Sequence, residues 1–332
     1  MIPSPVKPAA EFIPAAAFPR LRFGGWTRSF GQLQRRLQRL QRRFLRWLRR
    51  ALIMPAAAPP LVFITGGSSG IGLELARQYA RTGASLCLVA RRPDVLAQAA
   101  QEVQSLCLNP DQVVHDLTLD ISKRADVLEK LAAFQESVGT PDILINNAGN
   151  VQPAEAVNAQ LDDYEAMIQS NYLGAVYVTK AFLPAMIARG TGRIVNISSM
   201  AGRVAIYGYT GYGASKFALR GFGEALRSEL KPLGIQVSNV YPADTDTPQL
   251  AYESRYKPHV TKVLAGTANV MSPPAAVRQI ITGVNKGKGT IIIGFESKLF
   301  DRLHAVAPGL FNWIMDGIIA RALRGLPQGD SK

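Results

Sequence analysis

Cysteine is almost missing from this chain of 332 residues, which has only Cys87 and Cys107. Two isolated thiols make neither a disulfide framework nor a metal-ligand spacing, so both read as structural groups in a reducing compartment. Histidine is nearly as scarce. His115, His259 and His304 are too scattered to build a metal site, and no metal is expected. Acidic residues are in deficit, 24 against 38 Lys and Arg, for a formal net charge of +14. That deficit is local. Residues 1–53 carry 12 Lys/Arg and one Glu, whereas the other 279 carry 26 basic and 23 acidic groups. The basicity therefore belongs to an extension and says little about the body of the chain.

Within the extension, residues 1–27 are rich in Pro and Ala and read as an unstructured lead. From 28 to 53, Leu33, Leu37, Leu40, Phe44, Leu48 and Leu52 recur at spacings of three and four among nine arginines. That pattern predicts a basic amphipathic helix. No apolar run in it approaches the roughly 20 residues of a bilayer span, and it lacks the apolar core and cleavage site of a secretory leader. Three readings stand: a helix on an anionic membrane surface, a partner helix or nucleic-acid arm, or a stretch preceding a true start at Met54. The first is preferred because Trp47 and Phe44 accompany the arginines. No nucleic-acid partner is expected.

What the chain does have is apolar residues, 47% of the total, enough for a sizeable core. From Leu61 short apolar runs alternate with helical patterns. Strands are predicted over 61–65, 85–90, 113–119, 142–146, 193–198 and 235–241, with a last one over 289–294. Helices are predicted over 71–81, 93–105, 123–137, 161–189 and 209–230, and another from Ser272. This alternation predicts an α/β fold: a Rossmann-type doubly wound parallel sheet of about seven strands in order 3-2-1-4-5-6-7. The expected organisation is a basic extension over 1–53, a dinucleotide-binding catalytic domain over 54–295 and an apolar helical segment over 296–332.

Ligands of such sheets sit beyond the carboxyl ends of the strands, where the polar motifs of this chain fall. Thr65-Gly-Gly-Ser-Ser-Gly-Ile-Gly72 follows the first strand and opens a helix. Gly66, Gly70 and Gly72, with Ser68, Ser69 and Ile71, are the candidates for cradling a pyrophosphate. The second strand ends in Ala90-Arg91-Arg92, with no carboxylate where an NAD enzyme holds its ribose 2′-hydroxyl. Arg91 and Arg92 suit a 2′-phosphate instead, so NADPH is the expected cofactor. Asp120 and Ile121 follow strand three, and Asn147, Ala148 and Gly149 follow strand four, at the rims of the same site. Beyond strand five, Ser199 stands thirteen residues before Tyr212, itself four before Lys216. On a helix that spacing sets a lysine beside a phenol, and its charge is expected to lower the phenol pKa toward the working range. The set reads as a carbonyl/alcohol redox site.

Together T-G-G-S-S-G-I-G, N-N-A-G, Asn171, Ser199 and Y-G-A-S-K resemble the short-chain dehydrogenase/reductase family over residues 61 to about 250. The resemblance implies a catalytic tetrad. Tyr212 would be the acid/base, Ser199 would polarise the carbonyl, Lys216 would tune the tyrosine and bind the ribose, and Asn171 would anchor a proton-relay water. Pro242 and Thr245 would complete the cofactor site. Within the family, Glu224-Ala-Leu-Arg-Ser-Glu-Leu-Lys-Pro232 and Tyr241-Pro-Ala-Asp-Thr-Asp-Thr-Pro248 are similar to the branch that reduces the C3 ketone of long-chain 2-amino-3-ketones in sphingolipid synthesis. A long-chain lipid ketone is then the implied substrate.

After strand six a loop over 243–271 is expected to cover the substrate. Residues 299–323 are strongly apolar but broken by Asp301, Asp316 and Arg321. They are read as an acyl-chain groove, a membrane-resting face, a subunit contact or a helix closing the core. Trp26, Trp47 and Trp313 all lie outside the catalytic body, which favours a membrane surface. The expected location is cytoplasmic, peripheral to a membrane, with a homo-oligomer possible. Alternatives are the same chemistry on a 3-oxoacyl thioester, steroid or retinoid-like carbonyl, and a non-enzymatic dinucleotide-binding adaptor.

Overall fold

Apolar residues on both faces of every central strand dictate a sheet buried on two sides. The computed structural model describes residues 59–266 and 269–324, so the helix expected over 28–53 lies outside the described residues. Within them the strands are β1 (Leu61–Thr65), β2 (Ser85–Ala90), β3 (Val114–Thr118), β4 (Ile143–Asn146), β5 (Gly192–Ile197), β6 (Ile235–Tyr241) and β7 (Thr290–Ile292). They pair in parallel in the order β3-β2-β1-β4-β5-β6-β7, as the alternation predicts.

Side chains alternate between the faces with period two. Val62, Ile64, Leu86 and Leu88 meet α1 (Gly70–Ala80), α2 (Pro93–Gln104) and α9 (Pro273–Asn285) in one core. Phe63, Cys87, Val89 and Leu144 meet α3 (Arg124–Ser137), α5 (Gly174–Arg189) and α6 (Thr210–Leu230) in the other. Phe63 stacks edge-on against Phe134 (5.4 Å) and Phe182 (4.8 Å). Burying each such ring contributes about 1.5–3 kcal/mol.

One polar row crosses the second face. Asn146, Asn196 and Asn239 are register partners on β4, β5 and β6. Asn146 Nδ2 donates to Asn196 Oδ1 (2.9 Å), and Asn196 Nδ2 to Asn239 Oδ1 (3.1 Å). All three are buried. α6 can lie on this row only because Gly223 faces it, since a β-carbon there would collide with Asn239 Oδ1 and stand 2.7 Å from Asn196 Nδ2.

The structure refines three expectations. The helical region over 161–189 is two helices, α4 (Leu161–Ile168) and α5, joined by a π-helical turn over Gln169–Leu173. The loop expected over 243–271 holds α7 (Pro248–Tyr256) and α8 (His259–Ala265). Thr247 caps α7 by accepting from Leu250 N–H (3.2 Å), and Pro248 takes its first position. The apolar tail is α10 (Phe295–Val306) and α11 (Pro308–Arg324), bent by 120° at the break at Ala307, with Pro308 opening α11.

The asparagine row makes a paired prediction on α6. Gly223→Ala should destabilise the protein by about 1–3 kcal/mol through overpacking. Exposed Gly221 has nothing within 4 Å of an added β-carbon, so Gly221→Ala should stabilise by about 0.5–1 kcal/mol. Urea unfolding midpoints of the two variants read the opposite signs.

Candidate active site

β1 ends at Thr65, and the chain turns through Gly66 (φ +67°) and Gly70 (φ +55°) into α1. A β-carbon on Gly66 would stand 2.9 Å from both Ala148 Cα and Asn147 Nδ2. The neighbouring strand braces this turn. Asn147 Nδ2 donates to Thr65 O (3.0 Å) and Gly66 O (3.2 Å), while Thr65 Oγ1 accepts from the Asn147 and Ala148 N–H groups. Ser69, in extended backbone before α1, makes no capping bond. The first N–H groups of the helix therefore open on the cleft, as a phosphate requires.

Gly66, Ser69, Gly70, Ile71, Asn147, Ala148, Gly149, Pro242 and Thr245 line one cleft of about 540 Å³. Tyr212 and Lys216, also expected to touch the cofactor, line it too; the other expected cofactor residues lie outside that lining. Ser68 and Gly72 belong to the turn and the start of α1. Exposed Arg91 and Arg92 follow β2, with exposed Asp94 in the first turn of α2. Asp120 folds onto the N–H and hydroxyl of Ser122 (3.1 and 2.8 Å), and Ile121 is buried against Gly174. A 2′-phosphorylated nicotinamide dinucleotide fits this cradle.

Tyr212 and Lys216 stand one turn apart on α6, with Lys216 Nζ 5.6 Å from the Tyr212 ring centroid. The ammonium donates to Ile197 O at 3.1 Å. Ser199, just beyond β5, accepts from Ala201 N–H (3.2 Å), and its hydroxyl is close enough to the Tyr212 phenol to favour the ionised form. The π-helical turn aims Asn171 inward. Its Oδ1 accepts from Asn150 N–H (2.8 Å), and its Nδ2 donates to Asn150 O and Ser215 Oγ (both 2.9 Å). A β-carbon on Gly149 would lie 2.9 Å from Asn171 Oδ1 and 3.4 Å from Lys216 Nζ, so both side chains meet at the end of β4.

The electrostatics differ from the expectation. Tyr212 is pushed up, not down: burial dominates and Glu253 adds to it, while hydrogen bonds from Ser199 and Gln249 oppose. Burial lowers Lys216 to about 8, with Glu253 working against that shift. A phenol held above its ordinary range keeps its proton at neutral pH, the form needed to protonate an alkoxide during reduction.

The sequence reading missed the acidic partner of this pair. Glu253 on α7 is buried, accepts the Tyr209 hydroxyl at 2.7 Å and lies 3.6 Å from Lys257 Nζ. Tyr209 packs on Tyr212 with ring centroids 5.5 Å apart. The Thr247-Pro248 pair was a readable helix-start signal, but nothing in the sequence aims Glu253 at Tyr212. The apolar tail also reaches the site, since Phe300 of α10 and Met315 and Ile318 of α11 line the cleft. Arg203 and Asp301 pair at 2.5 Å and tie α10 to the segment after Ser199.

A dinucleotide cradle at the strand ends, opening on a phenol, a serine and a lysine, defines a nicotinamide-dependent carbonyl/alcohol oxidoreductase. A family model described as short chain dehydrogenase matches residues 60–257. The chain is 39% identical over 243 residues to 3-dehydrosphinganine reductase of Danio rerio, covering 73% of each. It is 37% identical over 279 residues to 3-ketodihydrosphingosine reductase of Bos taurus, covering 83% of this chain and 82% of the other. Among solved structures, a short-chain dehydrogenase from Sphingobium yanoikuyae in complex with NADPH superposes with a TM-score of 0.63 at 28% identity, covering 82% of this chain and 98% of that one. The chain belongs to the short-chain dehydrogenase family and is an oxidoreductase of it.

Lys216 sets a pH prediction. Below about 8 its ammonium is intact, and above that value it is lost. kcat/KM, which reports free-enzyme groups, should fall as pH rises through about 8. In Lys216→Arg the plateau should drop and the alkaline limb should move to higher pH. A limb unmoved by that substitution assigns it to another group.

Proposed function

We propose that this protein reduces the C3 ketone of 3-ketodihydrosphingosine to dihydrosphingosine with NADPH, a step of sphingolipid synthesis. One observation carries the reading. A single cleft is lined by the phosphate-binding turn, by Tyr212 and by the apolar side chains of Phe300, Met315 and Ile318. That arrangement suits a ketone with a long hydrocarbon tail beside a dinucleotide. The similarity to reductases named for this substrate supports the same choice. Arg91 and Arg92, at the end of β2, support NADPH over NADH.

In this reading, bound NADPH supplies a hydride to the carbonyl carbon. Ser199 donates a hydrogen bond to the carbonyl oxygen and holds it against Tyr212. The Tyr212 phenol gives its proton to that oxygen as negative charge develops there. The charge of Lys216 stabilises the phenolate left behind, and Asn171, through the Asn150 backbone, holds the end of a path that returns a proton. Burial of the pair excludes water, which strengthens each of these interactions.

The same lipid chemistry favours work at a membrane surface. Among the described residues no single helix is long and apolar enough to cross a membrane, but the bent pair α10–α11 reaches that length and composition together. It leaves Phe295 (81% exposed), Val306 (85%) and Trp313 (73%) in solvent. Such side chains favour the membrane interface.

Two measurements test this reading. Purified protein should oxidise NADPH with 3-ketodihydrosphingosine and not with an acetoacetyl thioester or a steroid ketone, and Tyr212→Phe should lower kcat about 10²–10⁴-fold with NADPH affinity kept. Turnover of the other carbonyls alone would remove the sphingoid assignment. Anionic vesicles should shift the emission of Trp313 to shorter wavelength in a chain lacking residues 1–53 and carrying Trp313 as its sole tryptophan. An unchanged spectrum would remove α10–α11 from the membrane.

A further inference from the structure

The cleft is lined by one more carboxylate than ammonium group. Its charged lining is Asp244, Glu253 and Glu296 against Lys216 and Lys257, three carboxylates and two ammonium groups. Lys216 is held by Ile197 O and the face of Tyr212. Lys257 lies between Asp244 (3.7 Å) and Glu253 (3.6 Å). Glu296 is exposed and takes up the backbone and side-chain N–H groups of Asn269. Around Lys257 itself, then, two carboxylates, Asp244 and buried Glu253, share one ammonium. Glu253 is the member nearest the chemistry: its partner Tyr209 packs on Tyr212.

Glu253 is also incompletely engaged. Oε2 accepts from Tyr209 and faces Lys257, and Oε1 accepts from Gln249 Nε2 at 3.2 Å. A carboxylate has about four acceptor positions, so one remains. A buried carboxylate is costly unless a cation and donors answer it. A structural ion pair would use one acid for one base, and this cluster holds two acids around Lys257. A steroid ketone or an acyl thioester brings no cation to it. A 2-amino-3-ketone does: its amine is largely protonated below about pH 8 and stands one carbon from the carbonyl.

We propose that Glu253 is the specificity-determining residue for the substrate's amino group, its carboxylate taking the ammonium on the carbon next to the ketone held by Ser199 and Tyr212. This rests on the substrate reading above and adds to it the group by which the enzyme tells its substrate from other long-chain ketones. Tyr209 and Gln249 are positioning residues for that carboxylate, and Lys257 stands beside it at 3.6 Å.

The test compares 3-ketodihydrosphingosine with the same long-chain ketone lacking the amine, in the unaltered enzyme and in Glu253→Gln. The unaltered enzyme should prefer the amino ketone by about 30-fold or more in kcat/KM. Glu253→Gln should remove that preference through KM, with the amine-free ketone changed less than about threefold. NADPH fluorescence quenching checks that the variant is folded, and Glu253→Asp should restore part of the preference. Equal reduction of both ketones by the unaltered enzyme, or equal losses on both in a folded Glu253→Gln, would overturn the ammonium site and leave the long-chain ketone reading intact. Reduction of neither would sink the substrate reading and the ammonium site with it. If Glu253→Gln does not fold, inhibition of the unaltered enzyme decides. Dihydrosphingosine should inhibit far better than its N-acetyl amide, and equal inhibition by the two overturns the proposal.

Discussion

Parallel pairing in one register is the constraint on which the rest depends. Because β1, β4, β5 and β6 run in the same direction, Thr65, Asn146, Ile197 and Tyr241 end at a common edge. The glycine turn, Asn147–Gly149, Ser199 and Pro242 leave the sheet from there. The asparagine row on β4, β5 and β6 holds three of those strands together with side chains that have few other partners in an apolar interior. Polar groups so buried are costly unless paired, so a slip of one strand would break the row as well as the ladder. The row specifies register where apolar contacts alone are tolerant.

At that edge burial works for and against the chemistry. It raises the Tyr212 phenol and lowers Lys216 toward neutrality, so the pair does not behave as two free side chains. The protein offsets the cost with fixed partners: Ser199 and Gln249 for the phenol, Ile197 O for the ammonium, and Asn171 with Gly149 close behind. Donors fixed in advance need no reorganisation when charge moves. The π-helical turn at Gln169–Leu173 belongs to the same arrangement. One extra residue in a turn rotates Asn171 inward, and such turns are frequent at functional sites.

Helices α7, α8, α10 and α11 convert this edge into a cleft with two characters. α7 brings Glu253 and Lys257, and the C-terminal pair brings Phe300, Met315 and Ile318. α11 packs on α8, and the Arg203–Asp301 pair ties α10 to the segment after Ser199. In the proposed function, substrate shape and charge are read by these added helices, while the cofactor cradle follows the strand ends and the acid–base pair stands on α6. This division is the usual one in doubly wound folds, whose ends accept varied additions without disturbing the core.

Much of this was legible in the chain itself. Period-two and unbroken apolar runs are local signals of strands buried on both faces, and their alternation with helical patterns predicted the doubly wound sheet. The glycine turn and the tyrosine–lysine spacing are contiguous in sequence, so Gly66, Gly70, Tyr212 and Lys216 were legible from residue type and spacing alone. The direction of the Tyr212 shift was not, because desolvation depends on which distant residues surround the ring. Nor were Glu253, the asparagine row, the Gly223 approach or the entry of α10 and α11 into the cleft. Residue type and local period determined the elements and the chemical groups. Which charges face one another, and how far from water, was decided only when segments about 40 to 100 residues apart were folded together.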